Sequence, residues 1–164
     1  MESNAESEQA TVANVPRFGE CAYREADVIE FPSGIPGFEG LRRWLFLTLD
    51  SQPSFVWLQS LDDRGVALPT ANPWMIFEEY DPTMPPYAFA ALEIQNAAEF
   101  TYLCVVAVAN GAAVMTMNLA APIVVNLRTR KAAQVTLEGS SYSLREPVPR
   151  KHGDCESSPI AKAS

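Results

Sequence analysis

Histidine and cysteine are scarce in this chain of 164 residues. The one histidine, His152, lies in the polar segment PRKHGDCES, and the three cysteines have neither metal-ligand nor redox spacing. Catalysis by proton transfer or by a nucleophile commonly depends on a histidine held in place by a packed shell, which a polar terminal segment does not supply. The sequence therefore predicts a protein that is not an enzyme and that needs no metal, disulfide or cofactor.

Positive charge is missing from a long internal stretch. No lysine or arginine lies between Arg64 and Arg128, and the net charge of the whole chain is −8. Such a chain repels phosphates, so we expect a protein partner and no direct contact with nucleic acid or an anionic membrane. The charge pattern by itself is also explained by an acidic surface that is merely solvated and binds no partner. The acids inside the stretch are Glu78, Glu79, Asp81, Glu93 and Glu99.

Long hydrophobic runs and a secretory signal are missing as well. No apolar run approaches the ~20 residues of a membrane helix, and the first residues, MESNAESEQ, are acidic and polar. Residues 1–14 and 149–164 have the polar, aperiodic composition of segments that do not gain enough by ordering. We expect two disordered extensions that flank a single cytoplasmic domain, residues 15–148.

Short β-branched and aromatic runs fill this domain. Two apolar runs flank Asn110-Gly111, which predicts a hairpin with a type I′ turn and with both faces covered. A second hairpin is predicted in PIVVNLRTRKAAQVTL, with one face toward solvent. The fold class is mainly β: a single-domain, compact antiparallel β-barrel or sandwich with at most one or two short helices. Earlier strands are expected in DVIEF, WLFLTL, FVWLQSL, VALPTA and PWMIF. Only FEGLRRWL and MPPYAFAALEIQNAAEF leave room for a helical turn or a short helix.

The segment FPSGIPGFEG, residues 31–40, combines prolines and glycines with large apolar side chains. Proline and glycine exclude a regular helix and a central strand, so the segment is predicted to be a loop of fixed shape. Ile35 and Phe38 within it either fold back as a plug over the core or form an apolar docking site for a partner.

Four polar residues occur in apolar strand contexts: Gln59, Asn118, Asn126 and Tyr142. A buried amide or hydroxyl without a partner costs roughly 1–3 kcal/mol, so each must be bonded internally or directed at a surface. Both alternatives are open at this point, and the second makes these residues part of a partner-binding surface.

Three long motifs in order resemble the flagellar assembly factor FliW family: VIEFPSGIPGFEGLRRWLFL, SFVWLQSLDDRGVALPTANPWMIFEEYDP and MNLAAPIVVNLRTRKAAQVTLEGSSYSLREPV. The resemblance implies a protein that binds flagellin and the translational regulator CsrA, and that relieves repression of flagellin translation. It favours a partner-binding role for residues in these motifs, namely Ile35, Phe38, Gln59, Asp62, Asn118, Asn126 and Tyr142. A free monomer is expected. The alternative is a barrel that binds a small ligand or a carbohydrate through its tryptophans.

Overall fold

The structure is a computed structural model that describes residues 10–16, 18–49, 52–109 and 114–149, without the side chains of residues 52, 53 and 109. Within these ranges the chain forms strands of two to ten residues and little helix. The strands are β1 (Thr11–Val15), β2 (Gly19–Tyr23), β3 (Ile29–Glu30), β4 (Arg43–Leu49), β5 (Gln52–Ser60), β6 (Ala67–Ala71), β7 (Phe100–Ala109), β8 (Val114–Met117), β9 (Ile123–Asn126), β10 (Lys131–Gln134) and β11 (Glu146–Pro147).

Seven of these strands form a closed ring in the order β3, β4, β5, β6, β7, β9 and β10. The long strand β7 makes closure possible, because its first residues pair with β9 and its last residues with β8. Every neighbouring pair in the ring is antiparallel except β10 and β3, which run parallel where Lys131 lies beside Glu30. The predicted mainly β barrel with few helices is confirmed, and one parallel junction is added to the antiparallel arrangement.

The interior of the ring is filled by apolar residues from most of its strands. Ile29, Trp44, Leu58, Leu103 and Ile123 pack together there with almost no exposure. Successive residues of a strand point to opposite faces. The neighbours of these residues on β7 and β9 therefore point outward, and they are buried in a second apolar cluster that includes Tyr102, Cys104, Val106 and Val124.

The first predicted hairpin is confirmed as the pair β7 and β8, in which Ala109 lies opposite Val114. Its Asn110-Gly111 turn lies outside the described residues. The expectation that both faces are covered is wrong near the turn, where Val108 is 47% and Val114 is 45% exposed. The reason is that β6 pairs with β7 only at Cys104 and Val105, so the end of the hairpin extends beyond the neighbouring strand.

The second predicted hairpin is confirmed as β9 and β10, which pair antiparallel. The solvent-facing side predicted for it is wrong at β9, because all four residues of that strand are buried. It is correct at Thr136, which is exposed between the buried Val135 and Leu137. Ile123 and Val125 contact the interior cluster, whereas Val124 contacts the outer one. Another part of the chain covers the face that the alternating pattern had assigned to water.

This covering segment is the connection between β6 and β7, residues 72–99, which we call the strap. It contains the helix α1 (Pro86–Ala91), which confirms the helix expected in this region, and 3-10 turns at Pro73–Met75 and Ala97–Glu99. The strand expected in PWMIF is wrong. The side-chain oxygen of Asn72 accepts a hydrogen bond from the Trp74 N–H at 2.9 Å, and Pro73 occupies the first position of the turn, so the segment starts as a capped helical turn.

The folded part of the chain begins earlier than predicted. The expected boundary between residues 14 and 15 falls inside β1, which pairs with β2 and buries Ala13 and Val15 completely. Residues 1–9 and 150–164, which hold most of both predicted extensions, lie outside the described ranges. Among the residues that are described, no helix has the length and apolar character needed to cross a membrane.

Candidate protein-binding site

The strap is fixed to the barrel by hydrogen bonds at both of its ends. Near its start, the Tyr80 hydroxyl donates to the Leu119 carbonyl oxygen at 2.7 Å, and the Tyr142 hydroxyl accepts from the Asp81 N–H at 3.0 Å. Near its end, the Asn126 amide donates to the Leu92 carbonyl oxygen at 2.7 Å. Leu119 precedes strand β9 and Asn126 ends it, so the strap runs along the outside of this strand.

Aromatic rings fill the space between the strap and the barrel. The ring of Tyr80 lies edge-on to Tyr142, with centroids 4.7 Å apart, and Trp74 lies 5.0 Å from Tyr102. Burial raises the pKa of Tyr80 above its ordinary value, and it also raises the pKa of the neighbouring Cys104 thiol to about 12. Both groups therefore remain neutral at physiological pH, as parts of a packed support and not as reactive groups.

A groove of about 620 Å³ lies between the strap and the segment that follows β10. Asp81 and Glu138 supply charge to its walls, and no lysine or arginine lines it. Met84 and the prolines beside Tyr87 make part of one wall apolar. We call this cavity the acidic groove, and its lining is Asp81, Thr83, Met84, Pro85, Pro86, Tyr87, Thr136, Leu137, Glu138, Gly139, Ser140, Ser141 and Tyr142.

The outer surface of the strap combines large apolar side chains with carboxylates. Tyr87 is 67% and Met75 is 62% exposed, and the Trp74 ring is partly exposed. Glu78 and Glu79, between these residues in sequence, are exposed as well. Exposed aromatic and methionine side chains bordered by charge are typical of protein-binding surfaces.

Of the site residues predicted from sequence, Asn126 and Gln59 are buried, and the surface alternative is wrong for both side chains. The Asn126 oxygen accepts from the N–H groups of Arg128 and Thr129, at 2.8 and 3.1 Å, so this amide joins the β9–β10 turn to the strap. The Gln59 amide nitrogen donates to the Ser60 and Arg64 carbonyl oxygens, both at 2.9 Å, and it organises the turn between β5 and β6. Both residues are internal connectors.

Asn118 and Asp62 also hold local backbone. The Asn118 oxygen accepts from the N–H groups of Ala120 and Ala121, each at 3.1 Å. The exposed carboxylate of Asp62 accepts from the N–H groups of Arg42 and Arg43 at 2.7 and 3.1 Å. Of the polar residues predicted to bind a partner, Tyr142 alone lines the acidic groove, and it reaches the strap through Asp81.

The Phe31–Leu41 loop folds back over the interior of the ring. Phe31 and Ile35 are buried in the interior cluster, and Phe38 and Leu41 pack against it while half-buried. The plug is therefore the alternative that the structure supports for Ile35. Gly34 makes the fold-back possible: its φ is +71°, and a Cβ atom there would lie 2.5 Å from the Glu39 carbonyl oxygen.

Sequence reasoning missed Tyr87 and Met75, the most exposed apolar residues of the strap. The expected helix in this region was correct, but the helix is short and amphipathic periodicity does not show which side of it remains open. The sequence feature that did indicate this surface was the charge pattern, because the strap falls within the stretch without lysine or arginine. The described residues contain no group of three or more histidine, cysteine or carboxylate side chains that could hold a metal ion.

Comparison with known proteins matches this arrangement to one family. The family profile described as FliW protein matches residues 12–148. The flagellar assembly factor FliW of Pseudothermotoga lettingae is 37% identical over 133 residues, 80% of this chain and 85% of that protein. The protein of the same name from Caldicellulosiruptor bescii is 34% identical over 137 residues, 84% of this chain and 90% of that protein.

Solved structures agree with the sequence matches. A crystal structure of the flagellar assembly factor FliW superposes with a TM-score of 0.78 at 26% identity, and the match covers 86% of this chain and 99% of that one. The fold thus defines a small, single-domain β protein with a ring of strands covered by a strap. The chain belongs to the FliW family of flagellar assembly factors.

Proposed function

We propose that this protein is a non-enzymatic, cytoplasmic regulator of flagellar assembly that binds flagellin and antagonises CsrA. When flagellin is exported, the released regulator takes CsrA off the flagellin message and translation resumes. Two observations together support the proposal. The chain belongs to the FliW family, and its anchored strap presents an acidic groove with the exposed Tyr87 and Met75, a surface of the kind that proteins bind.

The charge of the strap supports a role against a regulator that binds RNA. Glu78, Glu79 and Asp81 are exposed, and no cation lies in the sequence between Arg64 and Arg128. A partner that binds RNA carries a basic surface, so opposite charge would speed its encounter with the strap. Once bound, the same field would repel nearby RNA phosphates without contact with the RNA-binding surface.

The anchoring of the strap supports recognition by a preformed surface. Tyr80, Tyr142 and Asn126 hold it through hydrogen bonds of 2.7 to 3.0 Å, so its exposed side chains are presented by an ordered backbone. A surface that is already ordered loses little conformational entropy on binding, which favours affinity.

The experiment is a binding assay with three purified proteins. The free chain, expected to be a monomer, is mixed with flagellin and with the CsrA dimer in separate titrations, followed by calorimetry and size-exclusion chromatography. We expect a stoichiometric complex in each titration, and we expect excess flagellin to release CsrA from this protein. A folded chain that forms neither complex would contradict the proposal.

The alternative, a barrel that binds a small ligand or a carbohydrate, rested on tryptophans that line a cavity, and two of the three tryptophans have other roles. Trp44 is completely buried in the interior cluster, and the Trp74 indole donates to the Tyr80 carbonyl oxygen at 2.8 Å. No tryptophan lines the acidic groove. A thermal shift produced by a sugar in the absence of both protein partners would restore this alternative.

A further inference from the structure

The acidic groove carries negative charge on both of its walls. Asp81 lies on the wall formed by the strap and Glu138 on the wall formed by the segment after β10, and both residues are exposed. Neither carboxylate makes a hydrogen bond or an ion pair with another residue of the described ranges. Both are therefore open to a cation that enters the groove.

The strap wall of the groove also presents an aromatic ring. Tyr87 is 67% exposed, and its ring makes no contact with another aromatic ring among the described residues. Tyr80 and Tyr142, by contrast, pack against each other beneath the strap. An aromatic face that the fold leaves uncovered attracts cations through its quadrupole, and arginine is the commonest partner of such a face.

The start of helix α1 lies in the same wall but does not make the groove attractive to anions. The free N–H groups at the start of a helix usually bind negative charge. Pro85 and Pro86 occupy the first positions of this helix, and neither has an N–H group to offer. No lysine or arginine of the described ranges lines the groove. Its lining is therefore suited to a positively charged ligand.

Among cationic side chains, arginine fits a site that combines an aromatic ring with carboxylates. Its planar guanidinium group stacks on a ring face while the N–H groups at its edge donate to carboxylate oxygens. The ammonium group of lysine is a compact and more strongly hydrated charge, so it combines the two contacts less well. The groove of about 620 Å³ lies within the range of roughly 300–1,000 Å³ that is usual for ligand pockets, which is enough for such a side chain.

We propose that the acidic groove binds an arginine-containing segment of the protein partner, with a guanidinium group stacked on the Tyr87 ring and paired with the carboxylates of Asp81 and Glu138. The inference rests on the proposed function, because it names the chemistry by which a partner is recognised at the same surface. The apolar stem of the arginine packs along Met84 and Pro86 in this arrangement. A preference for arginine over lysine separates this recognition from attraction by charge alone.

The first test titrates the isotope-labelled chain with two capped peptides, Ala-Arg-Ala-Arg-Ala and Ala-Lys-Ala-Lys-Ala, and follows amide NMR signals. We expect the signals of Asp81, Tyr87 and Glu138 to shift, and the arginine peptide to bind several-fold more tightly than the lysine peptide. Tyr87→Leu should remove this preference, whereas Tyr87→Phe keeps the ring and should retain it. Equal affinities of the two peptides for the unaltered chain, or unshifted signals at these residues, would overturn the proposal.

Neutralising the carboxylates separates the groove from the general field of an acidic chain. Asp81→Asn combined with Glu138→Gln should weaken binding of the arginine peptide at least several-fold, and both positions are exposed, so the fold should persist. The matched control, Glu20→Gln with Glu30→Gln, removes the same charge from exposed positions of β2 and β3 and should change the affinity much less. Equal losses in the two double variants would contradict binding in the groove.

Titrations of the groove variant with whole partners distinguish this inference from the proposed function. Asp81→Asn combined with Glu138→Gln should lower the affinity for flagellin or for CsrA. If this variant bound both as tightly as the unaltered chain, the groove would not receive the partner's arginine, and the proposed function would stand without it. If the unaltered chain bound neither protein, the proposed function would be wrong, and the peptide titrations would still decide whether the groove prefers arginine.

Discussion

The side-chain amide of Asn126 donates to the carbonyl oxygen of Leu92 over 2.7 Å, and this contact joins the end of a completely buried barrel strand to the end of the strap's helix. The oxygen of the same amide accepts two backbone N–H groups of the following turn. One side chain therefore fixes the position of the strap relative to the ring. Its removal is the most direct test of how the candidate site is held.

Replacing Asn126 by alanine should lower the free energy of unfolding by about 2–4 kcal/mol, because three backbone groups lose their partner at a buried position. Urea denaturation measures the loss. The control is Asn96→Ala, which removes an exposed cap on the Ala98 N–H and should cost about 1 kcal/mol. If partner binding disappeared while stability stayed unchanged, Asn126 would be a contact residue and its internal role would be wrong.

Replacing Tyr142 by phenylalanine should loosen one wall of the acidic groove. The ring still packs on Tyr80, but the Asp81 N–H loses its acceptor, so we expect faster hydrogen exchange at this amide and a stability loss of about 0.5–1.5 kcal/mol. The control is Tyr87→Phe, which removes a hydroxyl from an exposed ring of the same groove. It should alter neither hydrogen exchange at the Asp81 amide nor the stability. Unchanged exchange at Asp81 in Tyr142→Phe would contradict the anchoring role.

Two glycines of the plug loop offer a matched pair. Gly34 and Gly37 both have positive φ, +71° and +92°, so alanine at either position costs about 1–2 kcal/mol in backbone strain. At Gly34 the new Cβ would also meet the Glu39 backbone at 2.5 Å, whereas at Gly37 no atom lies within 4 Å. Gly34→Ala should therefore be less stable than Gly37→Ala by a further 1–3 kcal/mol or so. Equal denaturation midpoints would show that the loop is not packed as described.

Alkaline pH should destabilise the protein through Cys104. Burial raises its pKa from the ordinary 9.0 to about 12, so the folded protein keeps the proton while the unfolded chain releases it. The stability contribution is complete below pH 9 and falls between pH 9 and 12, by about 1.4 kcal/mol per pH unit. Denaturation at stepped pH should show a shallower slope for Cys104→Ala, and a much smaller change for Cys21→Ala, because Cys21 is only half-buried. An unchanged slope in Cys104→Ala would exclude this thiol as the cause.

Charge reversal on the strap should act on the rate of partner association. Glu79→Lys is expected to slow association with a basic partner and to weaken the dependence of that rate on salt, because exposed charges act mostly on encounter. Glu20→Lys makes the same change on the exposed strand β2 and serves as the control. Stopped-flow mixing at low and high salt measures both rates. If the two charge reversals changed the association rate equally, the interface would not lie on the strap.

Local sequence patterns predicted most strands, because short-range alternation and turn residues determine them. They did not predict the environment of Asn126. Val124 and Asn126 alternate with apolar neighbours as on a half-exposed strand, yet the strap, which comes from residues 72–99, covers that face. A contact between residues 34 positions apart leaves no trace in the periodicity of either segment.

The candidate site was only partly predictable for the same reason. The charge pattern indicated an acidic surface, and Tyr142 does line the groove that Asp81 helps to form. The polar residues chosen from strand contexts proved to be connectors, because an amide within an apolar strand serves equally well as a buried hydrogen-bond donor or as a surface contact. At Asn72-Pro73 the turn signal was visible, but the sequence did not show that a capped helical turn follows or that the Trp74 indole donates to the Tyr80 carbonyl oxygen.

The parallel junction of the ring has a kinetic consequence. One register pair, Glu30 with Lys131, joins β3 to β10, supported by the hydrogen bond from the Glu30 N–H to the Arg130 carbonyl oxygen at 2.8 Å. The two residues are about one hundred positions apart, so forming this contact closes a very large loop. Few hydrogen bonds between β3 and β10 offset the entropy that this closure costs. We infer that the junction forms late in folding and opens before the rest of the ring. Amide exchange at Glu30 should then report the lowest-energy opening of the barrel, and a cross-link across this junction would slow unfolding more than one placed between β4 and β5.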